Sequence, residues 1–180
     1  QMANIGTQMT EAFAGLDRTS ELLSWPQEDD DPRRTVTMPA IHGRIDFEDV
    51  HFAYEEDKPV LTGVSFDATP GTVVALVGSS GSGKSTIAGL AASFLEPDAG
   101  RVLVDGVDLR DVKLATYREQ LGLVFQDDFL FDGTIRENLR FARPAATDAE
   151  IDDAAAQAYV TEFSDRFPDR LETVIGERGV

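Results

Sequence analysis

Residues 78–86 read GSSGSGKST, and their types and spacing suit one task, the gripping of a phosphate chain. A polyphosphate needs several hydrogen-bond donors converging on one spot with no side chain blocking the approach. Gly78, Gly81 and Gly83 permit positive φ and close backbone contact. The N–H groups of this loop, those of Ser79, Ser80 and Ser82 included, can therefore curl around a phosphate at the start of the following helix, where the dipole also favours negative charge. Lys84 adds a mobile ammonium for β/γ oxygens, Ser85 offers a hydroxyl to Mg²⁺, and Thr86 stands where a hydroxyl reaches an α-phosphate. With glycine near 7% of residues, a chance match to this pattern has a probability on the order of 1%. Gripping is not hydrolysis. Turnover also needs a carboxylate that holds magnesium, a group that positions water, and stabilisation of the transferring phosphoryl group.

Such a loop must leave a strand and open a helix, and the flanking residues supply both patterns. TVVALV, before the loop, is continuously apolar, as a parallel-sheet strand buried on both faces should be. After the loop, Ile87, Leu90, Ala91, Phe94 and Leu95 form one helical stripe, which Pro97 and Gly100 end. Upstream, Ile45 and Phe47 alternate with polar residues, and Val50, Phe52 and Tyr54 continue after a change of phase that predicts a bulge near Asp49. Val64, Phe66 and Ala68 predict a further strand. RVLVDGVDL predicts a strand-turn around Asp105-Gly106, and LGLVF another buried strand ending at Gln126. Thr134 with Glu137, and Thr147 with Glu150, have the capping-box form that opens a helix.

The first 23 residues place Met2, Ile5, Met9, Ala12, Phe13, Leu16 and Leu23 at roughly helical spacing, the pattern of a helix seeking a partner. SWPQEDDDPRRT follows, with acidic residues or proline at every position from 28 to 32, and its composition predicts a linker that does not pack. The 180 residues, 42% hydrophobic and 27% charged, read as globular. No run approaches the roughly 18–20 apolar residues of a membrane-spanning helix and no secretory leader opens the sequence, so any membrane link is expected from elsewhere. A net charge of −17 argues against nucleic acid as a partner. The absence of cysteine excludes disulfides and thiolate metal sites, and His42 and His51 read as surface or sheet residues.

Four blocks, FAYEEDKPVLTGVSF, FLEPDAGRVLVDGVDL, LGLVFQDDFLFDGTIRENL and TVIGERG, are similar to the successive blocks of an ABC-transporter ATP-binding domain, from about Arg44 to Val180. EAFAGLDRTSELL resembles the end of the last transmembrane helix of an exporter whose membrane and nucleotide domains share one polypeptide. The resemblance implies an α/β P-loop NTPase core with an N-terminal antiparallel β subdomain and the start of a helical subdomain, incomplete at the C-terminus. It also implies three parts: a helix over 1–23, an acidic linker over 24–42 and a partial ATP-binding domain over 43–180. ATP and Mg²⁺ are the implied ligands. The implied partners are a transmembrane domain and a second ATP-binding domain, identical or not, at the cytoplasmic face of the cell membrane.

Residue by residue, Tyr54 matches the aromatic that stacks on adenine, for which base stacking of about 1–3 kcal/mol supplies a mechanism. Val60 falls where the family lines the adenine pocket, and reads equally well as a core strand residue. Gln126 matches the glutamine that reaches magnesium or the attacking water. Lys84 and Gln126 are thus the implied catalytic groups, and Ser85 and Gln126 the implied metal contacts. Phe129, Leu130 and Phe131 either receive a cytoplasmic helix of the membrane domain or pack internally, and Glu177 matches a loop that contacts such helices. Asp105 is a turn residue, with no glutamate after it. Downstream of Thr86 there is no apolar strand ending Asp-Glu, no Leu-Ser-Gly-Gly-Gln signature and no histidine, so the sequence looks truncated and is expected to bind MgATP without turning it over alone. Two other readings are a non-transport ABC ATPase and a degenerate, non-hydrolysing partner subunit.

Overall fold

The computed structural model describes residues 13, 15–126 and 129–176. They fall into two units, one through Gly122 and one from Leu123. Residues 15–23 are helical (α1), and the Phe13, Leu16, Leu22 and Leu23 side chains are exposed. Met2, Ile5, Met9, Ala12 and Glu177 lie outside the described residues.

The first unit is built on a four-stranded, wholly antiparallel sheet in the order β2-β1-β3-β4. Its strands are β1 (Ile45–Glu55), β2 (Lys58–Ala68), β3 (Ala99–Val104) and β4 (Val107–Asp108). The predicted change of phase in β1 is a bulge: the register slips between Phe47 and Val50, and Asp49 takes φ 48°. The Asp105-Gly106 turn joins β3 to β4 with both residues at positive φ. One face of the sheet buries Phe47, Val50, Phe52, Val102 and Val104 against Leu90, Leu109, Val112 and Tyr117, with the Phe47 ring stacked 4.6 Å from that of Phe66.

Leu90 belongs to α2 (Lys84–Ala91), the helix that follows the glycine-rich loop. The apolar stripe predicts a helix reaching Leu95, but Ser93 takes φ 55° and the Phe94 N–H turns back to the Gly89 carbonyl, so the helix closes a turn earlier. Tyr117, in α3 (Leu114–Arg118), fixes that end by donating to the Ala91 carbonyl at 2.5 Å; burial pushes its phenol up to about 12.

Three expectations are corrected. TVVALV does not form a strand buried on both faces. It has no ladder partner among the described residues, and every residue from 71 to 80 is exposed, Val73 at 98% and Val77 at 92%. Val74 and Leu76 line a shallow hollow with Ile45, Phe47, Phe66 and Ile87. LGLVF likewise carries no ladder, and Val124 is 97% exposed. An apolar run encodes what a strand needs around it, and its backbone groups pair only where neighbouring strands exist.

The third correction concerns the acidic segment, which docks although its composition predicts no packing. Asp29 accepts the Leu114 N–H at 2.9 Å at the start of α3, Glu28 pairs with Arg118 at 2.6 Å, and Arg33 pairs with Glu96 at 2.8 Å. Arg34 is almost wholly buried and donates to the carbonyls of Leu109 and Val112. Val36 bridges Val112, and Met38 enters the core. The prolines and charges limit the segment to one 3₁₀ turn, Glu28–Asp30, without forbidding a strap held by specific pairs.

The second unit holds α4 (Ile135–Arg140), α5 (Asp148–Gln157), α6 (Val160–Ser164) and a two-stranded ribbon of β5 (Gly133–Thr134) with β6 (Val174–Ile175). Both predicted capping boxes are present, on Thr134/Glu137 and Thr147/Glu150. Ile135, Ala155, Leu171 and Ile175 form its small core.

Candidate functional site

The loop 78–83 and the first turn of α2 stand against β2. Gly83 is the N-cap of α2 in the left-handed region, at φ 85°. A Cβ there would lie 2.7 Å from Leu61 Cδ2 and 3.4 Å from Val60 Cγ1, so glycine is required both by the backbone and by the strand behind it. Gly81 also has positive φ, and a Cβ on Gly78 would meet Ser82 Oγ at 2.6 Å. The loop can therefore turn tightly at its glycines.

Lys84 folds over this loop. Its ammonium donates to the carbonyls of Gly78 at 3.0 Å and Ser79 at 2.7 Å and to Ser82 Oγ at 3.3 Å. Three oxygens thus hold one positive charge at the mouth of an eight-residue helix whose positive dipole end faces the same way. Ser85 is exposed in the first turn, with its hydroxyl available to a ligand, and Thr86 is buried. These are the features a polyphosphate with a hard divalent cation would use, so the donor set fits the nucleotide that the motif implies.

Tyr54, near the end of β1, extends from the sheet toward α2. Its phenol oxygen lies 3.2 Å from Thr86 Oγ1, and its ring meets Phe52 edge to face at 4.9 Å. Tyr54 as a residue remains 62% exposed. Val60 is half-buried beside Gly83. The fold thus brings Tyr54, Val60 and the loop from Gly78 to Thr86 together within the first unit. Gln126 belongs to the second unit, exposed, after LGLVF.

In that second unit Phe131 stacks on Phe141 at 4.0 Å and meets Phe129 edge to face at 5.0 Å, while Leu130 packs on the small core. All four line an apolar hollow of about 430 Å³ with Ile135, Leu139 and Phe163. Asp105 serves its turn, as the sequence implies. Burial would raise its carboxyl, but the N–H donors of Arg44, His42 and Gly43, at 2.9, 2.6 and 3.3 Å, together hold it below the usual carboxylate range. Two contacts escape sequence reasoning. Asp98 accepts the Ala53 N–H at 2.7 Å next to Tyr54, and Thr86 meets the Tyr54 phenol; neither pairing leaves a periodic or motif signal.

A glycine-rich loop that opens a helix beside an antiparallel sheet is the arrangement of a P-loop domain. The family model described as ABC transporter matches residues 61–176, and this chain belongs to that family. It is 42% identical over 180 residues to an ATP-dependent lipid A-core flippase of Chromobacterium violaceum, covering 99% of this chain and 30% of the flippase. It is 38% identical over 179 residues to a fatty acid ABC transporter ATP-binding/permease protein of Mycobacterium bovis, covering 99% of this chain and 28% of that protein. A solved structure of a bacterial Atm1-family ABC exporter with ATP bound is similar at a TM-score of 0.83 and 36% identity, over 94% of this chain and 30% of that one. The chain thus spans about a third of the length of the relatives it matches, and it has the fold of an ABC ATPase domain with an antiparallel sheet. No helix among the described residues is long and apolar enough to cross a membrane.

Proposed function

We propose that this chain binds MgATP as the nucleotide-binding part of an exporter-type protein, with the adenine on Tyr54 beside Val60 and the phosphates in the loop Gly78–Thr86. The observation that carries this reading is the convergence of the Lys84 ammonium, the glycine-rich loop and the Tyr54 phenol at the first turn of α2. On binding, the ammonium exchanges the Gly78 and Ser79 carbonyls for β/γ oxygens. The loop N–H groups supply the remaining donors, and Ser85 offers its hydroxyl to the metal. Magnesium supplies positive charge to the phosphate oxygens when bound. By the family resemblance Gln126 would reach magnesium or the attacking water, and Lys84 would offset charge on the transferring group.

The intact protein would pair two such domains with a membrane domain at the cytoplasmic face of the cell membrane. It would couple ATP binding and hydrolysis to export, with the Phe129–Phe131 hollow receiving a cytoplasmic helix. The flippase and the fatty acid transporter, named as transport proteins, support this over a non-transport ATPase. The test is calorimetry of MgATP binding to the full-length protein. Lys84→Ala is expected to weaken binding about 10- to 100-fold, the range for a charge-assisted hydrogen bond. Unchanged heat in that variant would overturn the assignment.

A further inference from the structure

Thr86 is the second residue after the phosphate-loop lysine, and a hydroxyl there is expected to face phosphate. In this structure its hydroxyl, on a residue only 4% exposed, is joined to the Tyr54 phenol at 3.2 Å. In a helix a threonine hydroxyl ordinarily turns back on the carbonyl four residues earlier. Here it is joined to a side chain of β1, 32 residues away in sequence.

Tyr54 needs such a tie. The residue is 62% exposed and its ring is packed edge to face on Phe52, a contact that leaves the ring free to pivot about that edge. The hydroxyl bond supplies the second fixed point. Cβ and the bonded hydroxyl fix the two ends of the ring's long axis, and the Phe52 edge restrains rotation about it. The phenol is anchored to the first turn of α2, so the open face of the ring is set relative to the loop that would hold the phosphates. Base and phosphate subsites then share one mechanical link, Thr86.

We propose that Thr86 is a positioning residue for base recognition, its hydroxyl holding the Tyr54 ring in the orientation on which a purine stacks. This rests on the nucleotide reading of the site and adds to it a coupling between its two ends. A stacking platform set in advance loses less entropy when the base arrives, so removal of the tie costs affinity although the Tyr54 ring is still present to stack.

The test uses the full-length protein labelled with 3-fluorotyrosine, the Tyr54 resonance being identified by its loss in Tyr54→Phe. In nucleotide-free protein, Thr86→Val is expected to shift and broaden that resonance and Thr86→Ser to restore it. Tyr54→Phe and Thr86→Val are each expected to weaken MgATP binding about two- to ten-fold, the range for one neutral hydrogen bond, and the double variant by no more than either alone. Binding of inorganic tripolyphosphate, which has no base, stays unchanged in Tyr54→Phe and weakens less than MgATP binding does in Thr86→Val. An unmoved resonance in Thr86→Val, additive losses, or an equal loss for tripolyphosphate would each overturn the proposal. The nucleotide reading fails by a different result, MgATP binding indifferent to Lys84→Ala, while the fluorine resonance reports on the Thr86 tie whether or not nucleotide binds.

Discussion

Gly83 has two separate reasons to lack a side chain, and they make it the sharpest single-residue prediction. Gly83→Ala meets a left-handed backbone at φ 85° and a Leu61 methyl 2.7 Å from the new Cβ. The expected cost is about 1–3 kcal/mol in denaturant unfolding, together with weakened nucleotide binding. A variant as stable as the parent would mean that the loop is not seated against β2. Asp105 gives the pH-dependent counterpart. Its folded carboxyl titrates below the unfolded one, so its contribution is present above the unfolded value near 3.9 and is lost as pH falls through the folded value. Asp105→Asn is therefore expected to lower stability by about 1 kcal/mol at pH 7, with the gap to the parent closing below about pH 4 in parallel melts. The loop residues and the Asp105 turn were legible in the sequence because each is fixed by local geometry. Thr86 with Tyr54 was not, since a contact across 32 residues depends on how a strand and a helix meet.

At the scale of elements, the hairpins and helix starts were the readable features. The Asp49 bulge, the Asp105-Gly106 turn and the two capping boxes all stand where residue type demands them. In the Thr134 box the Glu137 N–H donates to Thr134 Oγ1 at 3.1 Å and the Thr134 N–H to Glu137 Oε2 at 2.7 Å. Thr134→Ala is expected to cost about 1 kcal/mol and lower the melting temperature by about 2–4 °C, with Thr134→Ser close to the parent. Equal melting of the alanine variant would show the cap to be idle. TVVALV and LGLVF were misread for a physical reason. Unbroken apolar runs such as Val73–Val77 report a demand for cover on both faces, and a strand forms only when partner strands meet that demand. The end of α2 was misread because Ser93 adopts a left-handed conformation that no propensity assigns to serine.

The whole molecule carries a net charge of −17 and yet exposes Val73, Val77 and Val124 almost completely. Charge repulsion opposes association and apolar exposure favours it. The 180-residue chain is expected to self-associate as its concentration rises. Val77→Lys with Val124→Lys takes the charge only from −17 to −15, which by itself weakens repulsion, yet the pair is expected to shift sedimentation toward monomer. Greater association in the double variant would show that charge governs. The docked segment from Glu28 to Met38 was the feature of whole-molecule scale least visible beforehand, because an acidic, proline-bearing composition conceals pairs such as Glu28 with Arg118.

That segment sets the path along which a mechanical load travels. Tension applied to α1 does not meet the sheet directly. It meets first the Glu28–Arg118 pair and the Asp29 cap on α3, then the exposed Arg33–Glu96 pair, and only afterwards the buried Arg34 and Met38. Fastenings arranged in series yield one at a time, in the order in which the load reaches them. A small pull therefore peels the strap back from Glu28, and a larger one is delivered through Arg34 and Val36 to the turns at Leu109 and Val112.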